Sequence, residues 1–300
     1  MLPLKRLKHH VHNFAIGCLL VITATPTSYA ADTVNNDSVI YWAGCGVTRK
    51  AFMAELAAAY EAKTNTKVVL EGGGATRGIR DTVNLHVDIG GTCRMTLPDA
   101  DHSELHASLY PVAWDALAII VHKNNPVDNF SRDQIKAIYT GKITNWSALG
   151  GPKAPIHLYA REGKLSGVGY AIRQYIFQDG GVDFDTKYLV KSTGPLEKAV
   201  EKDPYAMGIT GISSARKREV KIASFDGKVP SYENVRDGKY DLYRPLYLVT
   251  GPSPTKKVQD FIDFATSPEG EQVLRENGTV PYTDGLALMR KMLIYGFDVK

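Results

Sequence analysis

The sequence predicts an α/β fold built on mostly parallel sheet, and three observations predict it. Strand-like segments alternate with helix-like ones. The early strands each run into a Gly-rich turn. Mid-chain, Ala116-Leu117-Ala118-Ile119-Ile120-Val121 is a continuous apolar run, the mark of a strand covered on both faces.

In chain order, Ser38-Val39-Ile40-Tyr41-Trp42-Ala43 is rich in β-branched and aromatic residues and reads as a strand. Gly44-Cys45-Gly46 breaks it, and Phe52, Leu56 and Tyr60 then recur every four residues from Thr48, one face of a helix. Thr48 is the expected cap of that helix. Lys67–Leu70 is a second strand, Gly72-Gly73-Gly74-Ala75-Thr76 a second turn, and a helix follows over about 77–84. Val87-Asp88-Ile89 runs into Gly90-Gly91 and then Thr92-Cys93-Arg94. This βαβαβ order implies parallel strands, and ligands of such sheets sit beyond the carboxyl ends, where all three Gly turns lie. A helix N-terminus behind such a turn presents unpaired N–H groups and partial positive charge, so it suits an anion.

Past the apolar run, Asn124-Asn125-Pro126 ends the strand, Ser131 starts a helix carrying Ile135 and Ile138, and Gly141 stops it. Ile156–Tyr159 is a strand, followed by the Gly-rich stretch Arg161 to Gly169 and a helix carrying Ile172, Tyr175 and Ile176. Arg161 offers a rigid fork of donors matched to oxyanions. Ser192 caps a helix to about Lys202, Met207–Ile212 is a strand and turn, and Tyr243–Val249 is a strand. Two helices, about 255–265 and 267–277, follow.

The 300 residues suit one large or two ordinary domains. Lys5, Arg6 and Lys8 precede the apolar run Phe14–Ala24, and Ser28-Tyr29-Ala30 is a small-x-small cleavage pattern, so residues 1–30 read as a secretory signal peptide. Its removal leaves 33 of the 36 basic residues against 32 acidic ones, a charge near +1 with no electrostatic footprint for nucleic acid. No later apolar run is long enough to span a bilayer.

Taken together, Gly44-Cys45-Gly46-Val47-Thr48, Val87-Asp88-Ile89-Gly90, Tyr139-Thr140-Gly141-Lys142-Ile143-Thr144-Asn145-Trp146, Arg161 with Ser166-Gly167, Ala206–Ile209 and Arg244-Pro245-Leu246-Tyr247 resemble the PstS-like phosphate-binding proteins of ABC importers. The likeness runs from about Val39 to Pro281. It implies a two-lobed type II periplasmic binding protein, each lobe a mostly parallel sheet flanked by helices. One lobe would be 31–115 with 243–300, the other 116–242, with a hinge between. It further implies a non-enzymatic solute carrier that closes on phosphate or a related oxyanion for an ABC permease, with no cofactor, metal or nucleic acid. Carried over by position, the ligand-binding residues are Gly46, Val47, Thr48, Ala75 or Thr76, Cys93, Arg161, Ser166, Gly167 and Val168. Three departures stand out: Val168 replaces a threonine, Arg161 and Ser166 lie one residue further apart than in the family, and Cys93 replaces an aspartate or serine.

Cys45 and Cys93 remain after signal cleavage, and three readings stay open: a disulfide, two inert packed thiols, or ligands for a thiophilic oxyanion such as arsenite. The last would suit a sensor signalling to a kinase. His102 and His106 with Glu104 between have zinc-like spacing but no third ligand, and read as solvated. Ser166 lacks the Gly-x-Ser-x-Gly setting of a nucleophile. The cluster Arg216-Lys217-Arg218-Glu219 reads as solvated surface.

Overall fold

The computed structural model describes residues 38–97 and 103–295, with side chains to 292. The signal-peptide expectation for 1–30, and His102, lie outside those residues. Strand β1 (Val39–Gly44) feeds α1 (Gly46–Thr48), which runs without a break through a π-helical turn, Arg49–Met53, into α2 (Ala54–Thr64). The sequence spacing explains the π turn. Thr48, Phe52, Leu56 and Tyr60 are all buried, yet four-residue steps drift about 40° each on a 3.6-residue helix. A wider turn takes up the surplus and keeps the four on one face. Next come β2 (Lys67–Gly72), α3 (Ala75–Val83) and β3 (Ile89–Thr92).

Strand β4 (Ser108–His122) organises the rest. Only its second half shows as an apolar run. The first half forms because β10 (Tyr243–Thr250) returns to pair with it, Ala116 opposite Tyr243 and Ser108 opposite Thr250. From Leu117 the partner changes to β8 (Ala206–Gly211), Leu117 opposite Gly211. At the same place the Leu117 N–H donates to the Leu242 carbonyl at 2.7 Å. One strand therefore belongs to two sheets. The first reads β2-β1-β3-β10-β4, with β1, β2 and β3 parallel and β10 antiparallel to both neighbours. The second continues through β8 to β6 (His157–Arg161) and β7 (Tyr188–Val190), the last three parallel. Each lobe thus has a parallel trio, extended by antiparallel strands where the chain crosses. Short β5 (Asn129–Phe130), β9 (Val220–Phe225) and β11 (Val280–Pro281) pair at the margins.

Helices α4 (Arg132–Tyr139), α5 (Gly167–Ile172), α6 (Thr193–Lys202), α7 (Ile212–Ala215) and α8 (Tyr232–Arg236) belong to the second half. Ser131 and Gln134 form a capping box at the start of α4, and α5 runs into a second π turn, Arg173–Phe177. Helices α9 (Lys256–Ala265), α10 (Pro268–Glu276) and α11 (Leu286–Tyr295) return to the first half. Trp42, Trp114 and Trp146 are buried, and the described residues pack as one compact unit. Among the described residues no helix is long and apolar enough to cross a membrane.

Candidate functional site

Strands β1, β2 and β6 end in the turns that open α1, α3 and α5, and these three helix starts face one cleft of about 830 Å³ between the halves. The first-turn N–H groups of a helix have no acceptor within it, so Gly46, Val47, Ala75, Thr76, Gly167 and Val168 bring donors to the cleft wall. The halves meet closely here. A Cβ on Gly167 would lie 2.1 Å from Cys93 Sγ and 3.3 Å from Ala75 Cβ, so only glycine lets α5 approach.

Arg161, at the end of β6, lines the same cleft, and its buried Nε has no hydrogen-bond partner. Burial pushes its guanidinium below the usual arginine range, and the nearby Cys93 and Cys45 pull the other way. Lys50, Lys164, Lys191, Lys198 and Arg218 also line the cleft, against one acid, Glu162. The geometry is that of a donor-rich, cationic cleft for an anion. Beneath the rim sits Glu197, fully buried. It accepts from Thr210 Oγ1 at 2.7 Å, Lys50 Nζ at 2.9 Å, Arg218 Nε at 3.0 Å and from Ser214. Burial pushes its carboxyl up, but the bonds from Ser214, Thr210 and Lys50 outweigh that and hold it below the usual carboxylate range.

Nine of the ten expected ligand residues line the cleft; Thr48 does not. Its hydroxyl donates to the Cys45 carbonyl at 2.8 Å and its N–H to Cys45 Sγ at 3.4 Å. Cys45, three residues earlier, is the actual N-cap. The extra residue between Arg161 and Ser166 also has a place. The Leu165 carbonyl accepts from Arg94 Nε at 3.0 Å and Thr76 Oγ1 at 3.4 Å, both from the opposite half, which occupies the Thr76 hydroxyl. Ser166 Oγ caps α5, accepting from the Gly169 N–H at 3.1 Å.

The Gly90-Gly91 corner forms no anion cradle. A Cβ on Gly90 would lie 2.0 Å from the Gly78 carbonyl oxygen, so it is a packing glycine, and only Cys93 from this corner reaches the cleft. Cys45 and Cys93 are buried free thiols that line the cleft, so the disulfide expectation does not hold. Burial pushes the Cys45 thiol up, but bonding to Cys93 and Thr48 and the charge of Arg244 bring it down from 9.0 to about 6. Its partner Cys93 is pushed up, by that same bond to Cys45 and by burial.

Sequence reasoning missed Ser192–Pro195, Lys191, Lys198 and Lys50, and it misplaced Arg218, which turns inward rather than to solvent. It also left Arg244 without a role: buried, Arg244 donates from Nη1 to the Gly167 carbonyl at 3.1 Å and lies 3.5 Å from Asp115. Glu104 is likewise not solvated. It is buried and held by both Nη atoms of Arg94 at 2.7 and 2.8 Å. No metal-binding cluster exists among the described residues.

A PBP superfamily domain profile matches residues 43–269. The chain belongs to the PBP superfamily. Within it, the chain is 26% identical over 277 residues to phosphate-binding protein PstS of Borreliella burgdorferi, covering 87% of this chain and 96% of the relative. It is 28% identical over 176 residues to the PstS of Bacillus subtilis, 58% of each chain. Among solved structures, it is similar to a Clostridium perfringens protein described as a phosphate ABC transporter substrate-binding protein with bound phosphate. That match has a TM-score of 0.70 and 29% identity, over 81% of this chain and 99% of the other. An ABC-type phosphate transport receptor from Vibrio cholerae matches with a TM-score of 0.62 and 27% identity, over 81% and 99%. The two-lobed fold and the PstS-like resemblance hold, through the PstS relatives and these structures, and the relatives do not favour the thiophilic sensor.

Proposed function

We propose that this protein is an extracytoplasmic solute-binding protein that captures a phosphate-type oxyanion between two lobes and hands it to an ABC permease. The observation that carries the reading is the convergence of three helix N-termini, from both halves of the chain, on one cleft that also holds the unpartnered Nε of Arg161. The lobes are 31–115 with 243–300, and 116–242. The change of partner along β4 between Ala116 and Leu117 supports that division. The PstS relatives support phosphate as the ligand and transport as the task. Residues 1–30 act as the export signal.

The energetics fit a shared site. Micromolar binding needs about 8 kcal/mol, and one charge-assisted hydrogen bond supplies roughly 1.5–3. A single helix end is therefore too little, and several ends with Arg161 suffice. The role in this reading is binding without catalysis, which the PstS relatives support; Ser166 caps α5 through the Gly169 N–H.

Calorimetry of the chain lacking residues 1–30 tests this, with phosphate, arsenate, sulfate, molybdate and arsenite in turn. Heat for phosphate, reduced about tenfold to a hundredfold in affinity by Arg161→Ala, is expected from the loss of one such bond. Heat for arsenite alone, or hydrolysis of phosphate esters abolished by Arg161→Ala, would overturn it.

A further inference from the structure

The cleft is larger than one oxyanion requires, and its helix ends come in two facing pairs. In the first, α3 meets α5, where Ala75 and Gly167 approach across the halves. In the second, α1 meets α6: a methyl group on Gly46 would lie 3.4 Å from the Thr193 hydroxyl. Helix α6 is ten residues long and opens with Ser192, whose side chain makes no capping bond. Thr193 is 6% exposed, lines the cleft, and its hydroxyl has no partner among the described residues. The side chain is thus held in place by packing while its hydroxyl faces the cleft, free to bond a ligand there. Lys191, two residues ahead of α6, and Lys198, within it, line the cleft, neither paired with an acid among the described residues. Lys50 stands nearby, tied to Glu197.

We propose that the cleft carries a second anion subsite at the start of α6, next to the first, and that its preferred ligand has two linked phosphoryl groups, a diphosphate. The inference rests on the oxyanion-binding reading above and narrows its ligand class. One phosphoryl group lies between the starts of α3 and α5 with Arg161. The other lies between the starts of α1 and α6, taking the Thr193 hydroxyl and the charge of Lys191 and Lys198. A diphosphate suits this wall for a further reason. Its terminal oxygens are mostly acceptors, and the cleft offers N–H and cationic donors against the single carboxylate of Glu162.

The test is calorimetry of the chain lacking residues 1–30 with orthophosphate, inorganic pyrophosphate and methylenediphosphonate, which keeps the spacing and resists hydrolysis. Pyrophosphate and methylenediphosphonate are expected to bind at least tenfold tighter than orthophosphate. Thr193→Val with Lys198→Ala should bring that ratio close to one, and the exposed charge reversal Lys198→Glu, which leaves the core untouched, should narrow it alone. A nucleoside diphosphate run alongside tells the sources apart: tighter binding than pyrophosphate points to an ester, weaker binding to the free ion, and either supports the subsite. Equal affinities for orthophosphate and pyrophosphate, or a ratio that the α6 variants leave unchanged, would overturn the second subsite while the oxyanion-carrier reading stands. Binding of neither would overturn both.

Discussion

Cys93 and Gly167 touch across the two halves, and the contact leaves no room for a side chain on Gly167. Gly167→Ala should therefore act on the closed form. Overpacking of this kind costs about 1–3 kcal/mol, which predicts roughly fivefold to hundredfold weaker phosphate binding by calorimetry. Adding Cys93→Ala, which removes the sulfur, should restore most of the loss. Cys45 gives a second prediction at this scale. Its thiol is brought down to about 6 in the fold, from 9.0. A depressed acid contributes stability that is fully present above the unfolded value and lost as the pH falls through the folded one. The urea midpoint should thus climb from about pH 6 to about pH 9, and Cys45→Ser should flatten the climb. Cys93, pushed up, contributes in the opposite sense only above pH 9. A midpoint that does not vary over that window in the parent protein would refute the thiolate.

Among the elements, the π turn ahead of α2 and the middle of α6 are joined by charge. Lys50, just ahead of α2, reaches Glu197 in α6, and Glu197 also holds Arg218 and two hydroxyls. Removing one member of a buried ion network leaves the others uncompensated, at about 3–5 kcal/mol. Glu197→Ala should lower the free energy of unfolding by that order, read from urea titration. Because the Glu197 carboxyl is held low, the stability it contributes is present above the usual glutamate range and lost as the pH falls through its folded value. None of this was legible locally. Lys50 and Glu197 are 147 positions apart, and Arg218 sits in a run of charges whose local pattern is that of a solvated turn. Capping was only partly legible. The Ser131 start of α4 stands in the sequence as it does in the fold, whereas Ser192 precedes α6 without its side chain capping it. The cap of the first helix went to Cys45 rather than Thr48, because the glycine turn lets the helix begin three residues sooner.

For the whole molecule, β4 is the member shared by both sheets, and the lobes are expected to move about its change of partner at Ala116 and Leu117. Direct contacts already span the cleft: Arg94 and Thr76 to the Leu165 carbonyl, Arg244 to the Gly167 carbonyl, Lys217 to Glu55 at 3.0 Å. Saturating phosphate should reduce the radius of gyration in small-angle scattering, and Arg161→Ala should abolish the change at the same concentration. A radius indifferent to phosphate in a protein that binds it would rule out lobe closure.

By itself the sequence determined the alternation of strands and helices, the three glycine turns, the Arg161–Gly167 loop and the buried strand through Val121. All of these are local patterns of apolar period and backbone permissiveness, set by neighbours a few residues apart. Only the tertiary structure decided that α6 faces α1, that Lys50 and Arg218 share Glu197, and that Thr48 turns away from the cleft. Those outcomes depend on where β4 carries the second sheet relative to the first, and the partners that determine this lie on average far apart along the chain.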